Sequence, residues 1–415
     1  MASEPAETGI QCAAWNILGE FGVQIDMDLN SLTRRMSSLT RKMSAMRKWA
    51  VLLLLWGFAW PAIAAKIMSI DQMEQFLSKL QGEPDRKVAD GLGDVQLTER
   101  VSLARLTRWE AEFPGPRAHQ QLMELADLSA FLKPPAADAL PDPRPDMETQ
   151  QHMLWMAVQY VRNTTSQLPN FLATRETTHL QSTPSQLDTF SSMDDAPTLQ
   201  STSVYSRTVT YRGGHEVLEE EAGKPEKESA FGLFSHGEFG PILAQILSDA
   251  LLNQVNFLRW EQGPSGRAAV FGYTVPENAS HFRVVTTIGN PAASVNVNTF
   301  NPAYHGEIEM DSGTGGILGL SEIADLTPPR QDQRAEIVVE YAPVTIGGHS
   351  YICPVRSVAF SKIRVPIQGA NGKTVNAAAP YSWPIQTYLN DVAFTGYHEF
   401  RSESRIVGNQ SDTSR

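Results

Sequence analysis

Two cysteines, Cys12 and Cys353, are all that 415 residues contain, so no disulfide framework holds this chain together. Positive charge is also short. Lys and Arg number 34 against 46 Asp and Glu, a net charge of -12, and the basic surface that a phosphate backbone requires is missing, which excludes nucleic acid as a partner. Aromatic residues make up 8% of the chain and are thinly spread; Trp260 and Trp383 read as core or rim anchors. No apolar run approaches the ~20 residues of a membrane-spanning helix. The G-x-S-x-G elbow, the phosphate loop, the dinucleotide glycine pattern and the zinc-protease H-E-x-x-H are absent, and His215-Glu216 has no second histidine to complete that last motif. With them go the enzyme classes most legible in a sequence.

The most specific feature present is "MRKWAVLLLLWGFAWPAIAAK", Met46 to Lys66. Arg47 and Lys48 form a positive start, Ala50 to Trp60 an apolar stretch, and Ala62-Ile63-Ala64 an A-x-A exit, the layout of a secretory signal peptide. An uncleaved signal anchor is the alternative. Residues 1–45 are then expected to be a leader that is either disordered or foreign to the natural chain. Cleavage after Ala64 or Ala65 removes six basic and five acidic residues and leaves 28 against 41, a net charge of -13. It also leaves Cys353 as a lone thiol, and no cysteine at the exit for lipid attachment. The protein is expected in the periplasm or outside the cell.

Helical spacing dominates from Ser69 to Leu132. "SIDQMEQFLSKL" places Ile70, Met73, Phe76, Leu77 and Leu80 on one face with Ser69 as cap. "LTERVSLARLTRW" predicts a second helix capped by Thr98, and "PRAHQQLMELADLSAFL" a third after the Pro114-Gly115-Pro116 break. Five prolines in the fourteen residues Lys133 to Asp146 mark a stiff linker. A helix follows, with Met153, Leu154, Ala157 and Val161 on its inner face.

From Phe171 the period changes to two. "FLATRETTHL", "SVYSRTVTY", "AAVFGYTV", "HFRVVTTI", "GEIEMD", "ILGLSEIAD", "AEIVVEYAPVTI", "SYICPVRSVAF" and "DVAFTGYHEF" are of strand length and bounded by turn residues. Gly213-Gly214 and Gly347-Gly348 predict hairpin turns. One helix, "GPILAQILSDALLNQ", interrupts them, with Pro241 in its first turn, Ile242, Ile246, Asp249 or Ala250 and Asn253 stepping down one side, and Leu243, Leu247, Leu251 and Leu252 as a broad apolar stripe. Gln181 to Thr202 and Glu219 to Ala230 are polar loops. The fold class is α+β: a small helical domain (66–132), the linker (133–146), then a large curved antiparallel sheet, half-barrel-like, with packed helices (147–406), and a disordered tail (407–415). Such a sheet must close or be covered.

"YHGEIEMDSGTGGILGLSEIAD", Tyr304 to Asp325, sets His305, Glu307, Glu309 and Asp311 at alternate positions. On a strand these share one face, with Ile308 and Met310 on the other. Same-face neighbours lie about 7 Å apart and point in parallel, whereas a metal needs convergent ligands. The four read as a solvated face and, with His236 and Glu238, stand only as weak metal or acid-base candidates. Ser235-His236-Gly237-Glu238 is expected to cap the Leu-rich helix. Asp311-Ser312-Gly313 superficially matches an aspartic-protease triplet but enters a turn and has no second copy. Cys353, among Ile352, Pro354 and Val355, reads as a buried structural thiol. No metal, cofactor or catalytic residue is expected, and ionisable groups are expected on the watery side of the sheet.

"GEIEMDSGTGGILGL", "AEIVVEYAPVTIGGHSYICPVRS" and "NDVAFTGYHEFRSESRI" resemble the outer-membrane lipoprotein-sorting superfamily, which includes periplasmic lipoprotein carriers and envelope-stress regulators. Asp311, Thr314 and Gly315 match its D-x-x-T/S-G turn, and Tyr351 and Pro354 its Y-x-x-P strand entry. The likeness runs roughly from Met147 to Ile406; the helical front part and the acidic loop at 219–228 depart from it. The chain is also similar to exported bacterial proteins with the same helical front end. The resemblance implies a curved half-barrel closed by helices around an apolar cavity that holds acyl chains, and it transfers no ligand-contact residue. The function expected is non-enzymatic binding of an apolar ligand, a lipid, or a lipoprotein or other protein partner in the bacterial envelope. The alternatives are a hydrolase using His and Glu of the β region, such as His305 or His236, and an interaction module docked by the front helices.

Overall fold

The computed structural model describes residues 66–182, 199–218, 232–264, 266–290, 294–327, 333–365, 367–368, 374–375 and 384–400. The leader, the signal segment up to Ala65, the tail, Trp383, most of the first polar loop and all of the second (Glu219 to Ala230) lie outside the described residues.

The front part runs β1 (Lys66–Met68), α1 (Ile70–Leu80), α2 (Asp85–Leu92), β2 (Val95–Leu97), α3 (Leu103–Glu112) and α4 (Pro116–Ser129). Ser69 caps α1 as expected: its hydroxyl accepts from Gln72 N at 3.3 Å while Gln72 Oε1 accepts from Ser69 N at 3.0 Å. The second helix begins at Leu103, five residues past Thr98. Val95–Leu97 is instead drawn into a parallel pair with Lys66–Met68, and Thr98 N continues that ladder to Met68 O. Helix α2 was not expected. Ile70, Met73, Leu77, Val88, Leu106 and Leu122 are among the residues that form a core belonging to this part.

The rest comprises β3 (Ala139–Leu140), α5 (Met147–Gln167), β4 (Phe171–Gln181), β5 (Gln200–Arg212), β6 (His215–Leu218), α6 (Pro241–Leu252), β7 (Gln254–Gly263), β8 (Gly266–Val275), β9 (Val284–Asn290), β10 (Ser294–Phe300), β11 (Ala303–Asp311), β12 (Ile317–Asp325), β13 (Arg334–Ile346), β14 (His349–Arg364), β15 (Ile367–Gln368), β16 (Thr374–Val375) and β17 (Ile385–Glu399). Eleven strands form one antiparallel sheet in the order β3-β7-β8-β11-β12-β13-β14-β17-β4-β5-β6. It is curved and does not close, since β3 and β6 are its two ends. This is the expected α+β class. Both glycine pairs make their hairpins, with φ of 61° and 84° at Gly213 and Gly214 and 59° and 85° at Gly347 and Gly348, the left-handed values a type I′ turn requires.

The register assigns the faces. Tyr304, Ile308 and Met310 of β11 lie beside Phe271, Tyr273 and Val275 of β8 and Leu320 of β12, and α5 and α6 cover this apolar face with Met153, Ala157, Ile242, Ile246 and Ala250. Gly306 sits in the same row because a Cβ there would lie 1.9 Å from Ser321 O. On α6 the buried side is Ile242, Ile246, Leu247, Asp249 and Ala250, with Leu243 packed beside it; of the expected stripe Leu251 and Leu252 point outward, Leu252 being 79% exposed. The opposite face carries Val358, Phe360, Leu389 and Leu180, against which Leu128, Ala130 and Phe131 at the end of α4 pack.

The proline-rich segment donates β3 to the sheet edge, and Trp260 fixes it there: the indole N–H donates to Pro143 O at 2.9 Å. Among the described residues no helix is long and apolar enough to cross a membrane.

Candidate functional site

The four alternating residues of β11 lie on the face away from the apolar core, and His305, Glu307 and Asp311 each have their own local partner. His305 Nδ1 lies 2.8 Å from Asp325 Oδ1. Glu307 takes both guanidinium nitrogens of Arg259, at 2.7 and 2.6 Å; burial raises its pKa, but these bonds outweigh it and hold the carboxyl below its usual range. Glu309 is pushed up to about 7, by burial first and then by the charge of Glu261. Asp311 accepts from Gly313 N, Thr314 N and Thr314 Oγ1 at 2.8–3.0 Å and so builds the turn. Side chains spaced along one strand do not converge. Among the described residues no group of three or more His, Cys, Asp or Glu is placed to hold a metal ion.

Ser235 to Glu238 does not cap α6. The N-cap is Gly240, without a side-chain bond, and Glu238 turns inward to become fully buried. Its Oε1 accepts from Ser235 Oγ at 2.7 Å and lies 3.5 Å from the Arg175 guanidinium. Arg175 also donates to Ser235 O at 3.0 Å, and Tyr341 OH donates to Glu238 O at 3.0 Å. His236 is exposed and stacks on Phe234. Upstream, Asn390 Nδ2 donates to Leu233 O at 2.7 Å, which leaves its Oδ1 to accept from buried His179 Nδ1 at 2.6 Å. The His179 pKa is lowered by burial, so the ring is neutral.

A second polar group pins the other end of α6. Asp249 accepts from Tyr304 OH at 2.7 Å and His281 N at 3.1 Å, and lies 2.7 Å from His281 Nδ1. Beside it Glu322 of β12 accepts from Gln245 Nε2 at 3.3 Å, and is pushed up to about 8 by burial and then by the charge of Asp249. The expectation that ionisable groups keep to the watery side therefore fails at Arg175, His179, Glu238, Asp249 and Glu322. Each is buried on the apolar face with a polar neighbour beside it, as such groups need in a core, but Arg175 Nε, His179 Nε2 and Glu238 Oε2 stay without a partner. Sequence reasoning passed over Asp249 and Glu322 because each occupies an apolar position of its pattern, and that misfit was the available signal.

Between α5, the turn before α6, and β12 to β14 lies a cleft. Its walls are mostly apolar, among them Val161, Leu168, Leu243, Ile317, Ile352 and Cys353, and Glu238 is the charged residue in its lining. It encloses about 20 Å³, the room of one water, where ligand pockets typically hold about 300–1,000 Å³. The open acyl cavity implied by the resemblance is here filled by α5 and α6. Cys353 is buried and its thiol is pushed up to about 12 by burial, so it stays protonated and unreactive at neutral pH.

No family model and no curated protein matches this chain. A solved structure, the crystal structure of a LolA superfamily protein from Nitrosomonas europaea, is similar over 61% of this chain and 94% of that one, with 9% identity and a TM-score of 0.25. The site has to be read from this chain's own residues.

Proposed function

We propose that this is an exported, non-enzymatic binding protein of a bacterial envelope, which takes a lipid or a lipoprotein acyl chain on the apolar face of its sheet when α5 and α6 lift. The observation that carries the reading is the make-up of that face. It is an apolar layer spanning several strands, roofed by two helices, with a narrow apolar cleft where the roof meets the sheet. Sheet and helix thus hold against each other a surface that either would expose to water at about 25 cal/mol per Å². A ligand's methylenes, at about 0.8 kcal/mol each, are suited to replace that contact. Export rests on the A-x-A exit at Ala62 to Ala64.

Nile red, whose emission rises in apolar surroundings, tests the reading. The purified protein is expected to bind it saturably, and lysophosphatidylcholine below its micellar concentration is expected to displace it. Absence of saturable binding, or a signal that no single-chain lipid displaces, overturns it.

A further inference from the structure

We propose that the Glu238 end of the cleft is an amine-recognition site, which takes the protonated head of a long-chain primary amine while the chain lies along Val161, Leu168, Leu243 and Ile352. The proposal deepens the apolar-ligand reading and rests on it.

Glu238 lines the cleft, and behind it stand Arg175 and Glu216, all three with bonds left unmade. Glu238 Oε2 has no partner, although the residue is fully buried. Glu216 of β6 lies close enough for Glu238 and Arg175 to act on its charge, and its Oε2 is also unpartnered. Arg175 is 8% exposed and spends one nitrogen on Ser235 O. The guanidinium pairs with Glu238 at 3.5 Å and reaches Glu216 only through its field, and two carboxylate oxygens lack a donor. A buried polar atom left in this condition lowers stability, the more so if it is charged.

Ligand chemistry follows from that shortfall. An ammonium group brings one positive charge and three N–H donors with no acceptor to clash with. A carboxylate or phosphate head would place a third negative charge against Glu238 and Glu216. A hydroxyl brings a donor but no charge. The enclosed space matches an ammonium in scale, since the cleft as packed has room for about one water, and the chain then follows the apolar walls as the lid gives. Glu216 is raised to about 7 by burial first and then by Glu238, which is the condition of a carboxylate lacking a cation. Arg175 Nε is an unpartnered donor as well, so an oxygen on the carbon beside the amine improves the match.

Isothermal titration of the full mature chain with dodecylamine, dodecanol and dodecanoate at pH 7, all below their micellar concentrations, tests the assignment. The amine is expected to bind at least tenfold more tightly than the alcohol, and the acid most weakly. Glu238→Gln is expected to remove the amine's advantage while leaving the alcohol's affinity in place. Glu216→Gln, at the sheet's end, is expected to lower the amine's advantage about threefold, and serves if the first variant fails to fold by circular dichroism. Equal binding of amine and alcohol, or an amine preference that survives both substitutions, overturns the head-group assignment alone. If none of the three binds, both this assignment and the apolar-ligand reading fall.

Discussion

Glu322 shows what a single carboxylate does when folding places it in an apolar layer. Its neighbours are Asp249 and Gln245 from α6, with Tyr304 from the adjacent β11 and Tyr273 from β8 one strand further on. Burial and the charge of Asp249 lift it from 4.5 to about 8. Between those values the folded chain keeps a proton that the unfolded chain has released. Stability is therefore greatest below the unfolded value and declines as pH rises towards 8, by a few kcal/mol in total at about 1.4 kcal/mol per unit. Glu216 and Glu309, both raised to about 7, slope the same way, so the difference between variant and parent is the informative quantity. Glu322→Gln is expected to flatten the fall in urea-unfolding stability between pH 5 and 8.5 and to make the protein more stable than its parent at the upper end. A parent and variant with parallel pH profiles would show that Glu322 is not held protonated.

At the scale of elements, most strands could be read in the sequence because alternation and glycine turns are local signals. β4, β8, β11, β12, β13 and β14 fall where period two predicts them, and Gly347-Gly348 turns where it should. What failed was long-range or competitive. Thr98 offered a good cap, but pairing with β1 some thirty residues away outweighed it. Strand β7 was missed because a single residue, Asn253, separates it from α6. The candidate site was less legible still. Glu238 reads as a helix-capping residue until Arg175, 63 residues earlier on β4, is placed beside it, and no periodicity encodes that meeting. The polar pins also bear on how α6 moves. Tyr304→Phe removes one bond to Asp249, and a bond to a charged group is worth about 1.5–3 kcal/mol. Backbone amides of α6 are expected to exchange hydrogen at least tenfold faster in this variant, while those of β13 and β14 keep their rates. An increase spread evenly over the sheet would mean that α6 does not open apart from the rest.

For the molecule as a whole, the question is whether the front helices merely hang from the proline-rich segment. Arg356 on β14 answers through its partners. It bonds to Asp127 of α4, and to Glu340 and Asp391 of the neighbouring strands at 3.3 Å, with all but Glu340 deeply buried. One guanidinium thus serves three carboxylates, one from each of the front helices, β13 and β17. Around it Phe131 packs on Phe360 with ring centroids 6.0 Å apart, and Arg100 reaches Glu261 at 3.5 Å. The helical part is therefore fastened to the sheet face by both apolar and ionic contacts, although it has a core of its own. Arg356→Met is expected to cost about 3–5 kcal/mol, because it leaves buried carboxylates without their cation. Acid should restore much of the loss, since protonation removes the charges that Arg356 neutralised, so the deficit is expected to be smaller at pH 4.5 than at pH 7.5. Both parts are expected to unfold in one transition in the parent chain, followed by near-ultraviolet and far-ultraviolet circular dichroism together. Two separated transitions in the parent, or a variant deficit unchanged by pH, would mean that the Arg356 cluster does not couple the helices to the sheet.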